Sequence, residues 1–345
     1  MFHRRTKLST TTIIAFGIAA GVISVLTADR AGSARAADTV ELLNVSYDPT
    51  RELLRDVGTA FSARFAKESG TVVTVKQSHG GSGAQARAVI DGLEADIVTL
   101  ALWPDTDAIR KAGLIAEGWE QRFPNNAVPW RSTIVFVVRK GNPKGIKDWP
   151  DLVKPDVEII TPNPKTSGNG KLSFLAAWGS VIVRGGSEQE ARDFVTKVYK
   201  QTPVLDSGAR GATVTFAQKK IGDVHLTWEN EARLEIQESK GALEIVYPPL
   251  SILADPPVAV VDANVQRHDT RAAAEAYVNF LYTDEGQQII AKHFFRPVKP
   301  EILQAHAATF PDIKLFSVTA LAKNWTDAYA KFFADGQIFD SIYKP

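Results

Sequence analysis

The stretch VELLNVSYDPTRELLRDVGTAFSARF, residues 40–65, decides the fold class. It begins with an apolar run over residues 40–45 that is typical of a buried strand and then enters a short polar turn. Asp48 is a good N-cap residue and Pro49 a good first helical residue, so the turn predicts the start of a helix. The apolar residues that follow recur at the spacing of one helix face: Leu53, Leu54, Val57, Phe61 and Phe65.

The same order of strand, loop and helix recurs four more times along the chain. The later strands are predicted over residues 72–75, 157–160, 203–205 and 223–228. Loops rich in Gly, Ser or Asp follow the first three of these, over residues 78–83, 161–170 and 206–211, and the last strand runs directly into a helix. Strands that alternate with helices predict an α/β protein with mostly parallel sheets, which binds ligands at the carboxyl ends of its strands.

Composition excludes several classes of site. The chain has 345 residues, 40 Lys and Arg against 39 Asp and Glu, and no cysteine. Disulfides, thiolate metal sites and Cys nucleophiles are therefore excluded. The net charge of +1 gives no general attraction to nucleic acid or to an anionic membrane. The six histidines lack ligand spacing such as His-x-x-x-His, so we expect no metal site and no cofactor.

The N-terminal residues 1–36 have the three parts of a cleaved signal peptide. Arg4, Arg5 and Lys7 precede a mostly apolar stretch over residues 13–26, and Ala34-Arg35-Ala36 is a small-x-small cleavage site. The apolar stretch is shorter than the roughly 20 residues that a spanning helix needs, which disfavours a membrane anchor. Removal of residues 1–36 takes away five basic residues and one acidic residue, so the net charge falls from +1 to −3. We predict export to a periplasm-like compartment, without stable membrane insertion.

Two proline-marked points predict the domain organisation. Pro129 precedes the strand-like run STIVFVVR, residues 132–139, which leaves a first lobe. Pro256-Pro257 precedes a second such run over residues 258–261, which returns to it. We therefore predict a first lobe made of residues 37–131 and 257–345, and a second lobe made of residues 132–256.

Two glycine-rich loops approach known catalytic or nucleotide motifs without matching them. GGSGA, residues 80–84, would place Ser82 as the nucleophile of a serine hydrolase, but Ala84 stands where the motif has Gly. No later Asp or His has a suitable loop context, so the hydrolase is disfavoured. GNGKL, residues 168–172, lacks the first Gly of a phosphate loop, where Lys165 stands, and its Ser or Thr, where Leu172 stands.

Taken together, the loops favour an anion site. Small residues at four junctions leave backbone N–H groups free at a helix start, where the helix dipole adds positive potential. Trp228, at the end of a strand, offers an indole N–H that donates and cannot accept. Nearby basic residues either neutralise the anion directly or pair with acidic neighbours, and we slightly favour the second interpretation. These residues are Arg51, His79, Lys165, Lys171 and Arg210.

These junctions resemble the sulfate-binding proteins of periplasmic ABC importers, over essentially all of residues 38–345. Runs such as NVSYDPTRE and LDSGARGAT are long enough to be specific, whereas YTDEGQQIIA, residues 282–291, is common among binding proteins generally. The matching stretches are LLNVSYDPTRE (42–52), QSHGGSG (77–83), EADIVTLAL (94–102), STIVFVVRKGNPK (132–144), ITPNPKTSG (160–168), LDSGARGAT (205–213) and WENEA (228–232).

The resemblance implies a fold and a site. The fold is the two-lobed α/β periplasmic-binding-protein fold of class II, with the ligand in the cleft between the lobes. The anion is held without a counter-charged side chain, by backbone N–H groups, by the Ser167 hydroxyl and by the Trp228 indole. Asn169 departs from the family pattern, which more often has a second Gly there. The implied backbone donors are Asp48, Ser82, Gly168, Asn169 and Ala209.

The resemblance also implies a function. We expect a monomeric periplasmic receptor, not an enzyme, that delivers sulfate to the membrane permease of an ABC importer, with thiosulfate open as a second ligand. A receptor for molybdate, tungstate or phosphate is the main alternative. A secreted hydrolase that uses Ser82, and an adhesion or signalling protein with an incidental anion site, are more distant ones.

Overall fold

The computed structural model describes residues 39–343. The predicted signal peptide, residues 1–36, lies outside the described residues. The described residues belong to a single compact unit. Within the described part of the chain, no helix combines the length and the apolar character needed to cross a bilayer.

The described chain alternates strands and helices, and its strands form two sheets with both parallel and antiparallel pairs. The strands are β1 (Thr39–Tyr47), β2 (Val72–Gly80), β3 (Ile97–Thr99), β4 (Trp130–Arg139), β5 (Ile159–Ile160), β6 (Val224–Trp228), β7 (Leu243–Val246), β8 (Leu250–Ala254), β9 (Val258–Val260), β10 (Arg296–Pro297) and β11 (Lys314–Phe316). The helices are α1 (Arg51–Ser69), α2 (Ser82–Ile90), α3 (Trp103–Lys111), α4 (Pro124–Ala127), α5 (Gly168–Ile182), α6 (Glu188–Lys200), α7 (Ala209–Thr213), α8 (Glu229–Glu238), α9 (Asp262–His268), α10 (Arg271–Phe280), α11 (Asp284–Lys292), α12 (Pro300–Ala305), α13 (Trp325–Phe332) and α14 (Ile338–Ile342).

The first sheet has the strand order β2-β1-β3-β9. Strand β1 runs parallel to β2 and β3, and β9 closes the sheet antiparallel to β3, with Ile97 opposite Val260. Helix α1 packs on this sheet through the face that the sequence predicted, with Leu53, Leu54 and Val57 fully buried. The carboxyl ends of β1 and β2 both lead into the loops that carried the anion prediction.

The second sheet is built around β4 and is not mostly parallel, contrary to the sequence prediction. Its order is β11-β8-β4-β6-β5, with β7 and β10 also paired to β4. Strand β4 is antiparallel to β6, β7, β8 and β10, while the pairs β5-β6 and β8-β11 are parallel. Strand β4 is ten residues long, so it pairs with β10 and β8 through its first residues and with β6 and β7 through its later ones.

Most predicted strands are present, but residues 203–205 do not form one. Residues 203–206 have no regular secondary structure, because Pro203 lacks the N–H that a ladder needs and no neighbouring strand pairs with this segment. The strand predicted over residues 157–160 is reduced to Ile159–Ile160, and β2 extends to Gly80, through the first part of the predicted loop.

The chain beyond residue 257 contacts both sheets. Strand β9 joins the first sheet, whereas β11 pairs in parallel with β8 of the second. The C-terminal helices α13 and α14 pack near α5, where Phe332 and Phe339 make edge contacts with Phe174 at ring-centroid distances of 5.8 and 6.0 Å. Lobe boundaries near residues 131 and 256 stay a prediction.

Candidate anion site

Segments from both sheets enclose one small cavity that all seven predicted site residues line. The volume open to the centre of a water molecule is about 10 Å³. If this space is treated as a sphere, a water radius of 1.4 Å extends it to a radius of about 2.7 Å, a size that suits a small tetrahedral oxyanion. The lining residues are Tyr47, Asp48, Pro49, Gly80, Gly81, Ser82, Ser167, Gly168, Asn169, Ala209 and Trp228.

Helix N-termini converge on this cavity. Helix α2 begins at Ser82, α5 at Gly168 and α7 at Ala209, and a 3-10 turn begins at Asp48. The first N–H groups of a helix have no partner within the helix, so each of these residues presents a backbone donor. Their dipoles add positive potential at the same point. The arrangement suits an anion that accepts hydrogen bonds from several directions.

Asn169 fits this arrangement without strain. It is the second residue of α5, and it is not among the residues with positive φ. Its side-chain Nδ2 donates to the Leu226 carbonyl at 3.2 Å. Although the family more often has Gly here, the backbone N–H of Asn169 still lies in the first turn of α5.

Two side chains supply further donors. The Ser167 side chain is the N-cap of α5, where its oxygen accepts from the Gly170 N–H at 3.4 Å, so its hydroxyl hydrogen is free to donate elsewhere. The Trp228 ring is fully buried, yet its Nε1 has no hydrogen-bond partner in the part of the chain that the structure describes. A buried N–H without a partner costs free energy unless a ligand supplies the acceptor. The Trp228 ring is held in place beside Tyr47, at a ring-centroid distance of 5.4 Å.

Asp48 does not act as the N-cap that the sequence predicted. It is the first residue of the 3-10 turn Asp48–Thr50, whose cap position is Tyr47, without a side-chain cap bond. Its carboxylate instead lies 3.4 Å from Arg51 Nη2, and burial raises its pKa. The reason is local: Pro49 can occupy the second position of a tight turn as well as the first position of a helix, so the turn starts one residue early.

Four of the five nearby basic side chains pair with carboxylates, as the favoured interpretation predicted. Arg51 lies near Asp48, and Lys165 contacts both Asp335 and Asp340. The two other pairs join the elements of the two sheets. Lys171 of α5 lies 3.1 Å from Asp105 of α3, and Arg210 of α7 lies 2.6 Å from Glu52 of α1 and 2.9 Å from Glu231 of α8.

Burial shifts the titration of the groups beside the cavity. Glu231 is buried, which raises its pKa to about 7 against the opposing effect of Arg210. The pKa of Arg210 is raised by Glu231 and Glu52, although burial opposes the shift, so it stays charged. Burial, and then the charge of Arg51, lowers the pKa of His79 to about 4, so this imidazole is neutral at pH 7.

Asp105 contacts two of the candidate residues, and the sequence reasoning did not single it out. Its Oδ2 accepts from the Ser82 hydroxyl at 2.6 Å, and its Oδ1 faces Lys171. It therefore holds Ser82, which lines the cavity, at the start of α2. A buried Lys171 implies a buried counter-charge, but the sequence does not say which carboxylate supplies it.

The geometry around Ser82 does not match a nucleophile that a neighbouring histidine activates. Its oxygen also accepts from the Ala101 N–H at 3.0 Å. His79 is bonded through Nδ1 to the Ser46 hydroxyl at 2.7 Å and through Nε2 to Gln77 at 2.8 Å, so neither ring nitrogen is directed at Ser82.

Comparisons with known proteins identify the family of this chain. The family model of bacterial extracellular solute-binding proteins matches residues 45–296. A thiosulfate-binding protein of Pseudomonas aeruginosa is 47% identical and covers 98% of this chain and 99% of its own. A sulfate-binding protein of Salmonella typhimurium is 51% identical, covering 89% of this chain and 94% of its own.

A solved structure leads to the same family. The sulfate-binding protein SubI from Mycobacterium tuberculosis H37Rv superposes with a TM-score of 0.78 at 33% identity, over 85% of this chain and 99% of its own. This match confirms the predicted two-lobed periplasmic-binding-protein fold. The resemblance to sulfate-binding proteins is likewise confirmed, and the chain belongs to the family of bacterial extracellular solute-binding proteins.

Proposed function

We propose that this protein is a receptor for sulfate that delivers the anion to the membrane permease of an ABC importer. One observation carries the proposal: the buried Trp228 N–H has no partner and lines the cavity where the helix N-termini converge. The seven proposed donors are those that the family resemblance implies: the N–H groups of Asp48, Ser82, Gly168, Asn169 and Ala209, the Ser167 hydroxyl and the Trp228 indole.

The hydrogen bonds suffice for tight binding. A hydrogen bond to a charged group contributes roughly 1.5–3 kcal/mol, so seven contribute about 10–20 kcal/mol in total. Ordering of the loops and desolvation of the anion consume part of this sum. The remainder is compatible with micromolar or tighter affinity, about −8 kcal/mol or better.

The donor set favours sulfate over phosphate. Sulfate carries no proton near neutral pH and accepts from every donor. Monohydrogen phosphate carries a proton that needs an acceptor, and a site of donors leaves this proton unpaired, at a cost of about 1–3 kcal/mol. Thiosulfate shares the absence of a proton, and one relative is named for it, so it is the second ligand to test.

We further propose export and a two-lobed mechanism. The three-part N-terminus supports a periplasmic location after cleavage near Ala36. Lobe boundaries near residues 131 and 256 are supported by the β1, β2, β3 and β9 strands of the first sheet, which come from either side of this interval. The ligand takes donors from both sheets, so it stabilises the closed state over the open one. We expect a monomer.

The experiment is a calorimetric titration of the purified, anion-stripped mature protein with sulfate, with thiosulfate, phosphate and molybdate in parallel. One-to-one sulfate binding, much tighter than phosphate binding, supports the proposal. A tighter response to molybdate, or no response to sulfate, would assign the cavity to a different anion.

A further inference from the structure

The two sides of the cavity touch each other directly at two glycines. Gly81 precedes α2 on the side of the first sheet, and Gly168 begins α5 on the side of the second. A Cβ on Gly81 would lie 2.6 Å from the Thr166 carbonyl oxygen and 3.1 Å from that of Ser207. A Cβ on Gly168 would lie 2.3 Å from the Cβ of Ala101. Atoms in closely packed interiors do not approach this closely, so either methyl would force the two sides apart.

Backbone conformation does not explain why these positions are glycine. Gly81 has φ −60° and ψ 133°, which alanine adopts readily, and Gly168 is not among the glycines with positive φ. The absence of a side chain therefore matters for the approach of the other side and not for the local turn.

We propose that Gly81 and Gly168 are positioning residues that set how closely the two sides of the site can close on the anion. The inference rests on the proposed function and deepens it. Asp48 and Ser82 donate from the side of the first sheet, and the other donors come from the second. Separation of the sides by even a few tenths of an ångström lengthens the hydrogen bonds of one set, while the other set keeps its geometry.

An independent observation ties this contact to a ligand. The Trp228 indole N–H is fully buried and unpartnered on the wall of the same cavity. The glycine contacts and a buried donor that lacks an acceptor therefore belong to the same cavity.

The first test compares three Gly→Ala variants by calorimetric titration with sulfate. Gly81→Ala and Gly168→Ala are expected to weaken binding by about tenfold or more, equivalent to the loss of one hydrogen bond to a charged group. Gly83→Ala is the matched control in α2, because its Cβ would meet Lys171 Nζ at 3.5 Å and Asp105 Oδ1 at 3.7 Å, which are ordinary contacts. It is expected to change the Kd by less than about twofold.

The second test moves one methyl across the contact. In the double variant Gly168→Ala with Ala101→Gly, the clashing Cβ is gone, and the nearest remaining atom to the new methyl is Ser82 Cβ at 3.5 Å. We expect the double variant to recover most of the sulfate affinity that Gly168→Ala loses, with Ala101→Gly alone as the reference. Failure of this rescue would overturn the inference.

A third measurement separates closure from simple damage to the fold. Without sulfate the sides can part, so Gly81→Ala should keep the thermal stability of the wild type in the anion-free state. It should instead lose the sulfate-induced rise in Tm and the compaction that small-angle scattering records for the wild type. Equal loss of stability with and without sulfate, or wild-type affinity in Gly81→Ala, would overturn the inference. If the wild type itself ignores sulfate, the proposed function fails first.

Discussion

The substitution Trp228→Phe removes one donor from the cavity and leaves the rest of the site in place. Because Nε1 has no partner among residues 39–343, the substitution breaks no hydrogen bond within the described part of the sulfate-free fold. Phenylalanine keeps most of the buried ring surface beside Tyr47. A hydrogen bond to a charged acceptor is worth roughly 1.5–3 kcal/mol, which corresponds to a Kd increase of about 10- to 150-fold. Calorimetric titration with sulfate measures this ratio.

A matched variant distinguishes the donor from the ring. Trp119 is also fully buried, and its Nε1 likewise has no partner, but it lies outside the cavity, stacked at 6.3 Å on Trp103. Trp119→Phe therefore also removes a buried indole N–H, and we expect no change in sulfate affinity. If Trp228→Phe binds sulfate within about twofold of the wild type, the indole does not donate to the anion and the main argument for the site is wrong.

Three further substitutions probe the remaining groups. Ser167→Ala should weaken sulfate binding through the loss of its hydroxyl, and Ser167→Cys more so because the larger sulfur crowds the anion; a titration series that ranks Cys above Ala in affinity would contradict this. Lys171→Met leaves the buried Asp105 carboxylate without its cation and should lower the free energy of unfolding in urea by about 3 kcal/mol. It should change the sulfate Kd less than Trp228→Phe does. A small effect on stability with a large increase in Kd would mean that the ammonium neutralises the anion. The pKa of His79 is lowered to about 4 in the fold, so the unfolded chain alone takes up this proton as the pH falls from 6.5 to 4, and stability is lost over that interval. The loss of stability between pH 7 and pH 4.5, measured by unfolding at both pH values, should be smaller for His79→Gln than for the wild type. An identical loss in the two proteins would exclude His79 as its source.

The sequence predicts the helix starts that line the cavity better than it predicts the sheets. A strand that ends in small residues and continues as a helix is a local pattern, so the starts of α2, α5 and α7 near Ser82, Gly168 and Ala209 can be read from composition and spacing. The direction in which β4 meets its neighbours depends on contacts between distant segments, and no local pattern encodes it. Residues 203–205 show the same limit, because β-branched and apolar residues form a strand only where a neighbour supplies the ladder.

The sequence predicts that the buried cations are paired, but it does not predict which carboxylates are their partners. A chain with nearly balanced charges is expected to pair its buried cations, and the sequence favoured this for Lys171 and Arg210. Their partners Asp105 and Glu52 lie 66 and 158 residues away along the chain. Such pairs form only after the helices have packed, so the identity of Asp105 emerges from the structure alone.

Ion pairs and backbone N–H dipoles have different roles around the cavity. The ion pairs Lys171–Asp105 and Arg210–Glu52 each join a helix of the second sheet to a helix of the first. Because their cations already have partners, they leave little net positive charge to attract anions in general. In the proposed site, N–H dipoles at the helix starts hold the anion, and the strength of binding depends on how many acceptors the ligand offers them. A site of this kind discriminates by protonation state more than by charge, which is what the choice between sulfate and phosphate requires.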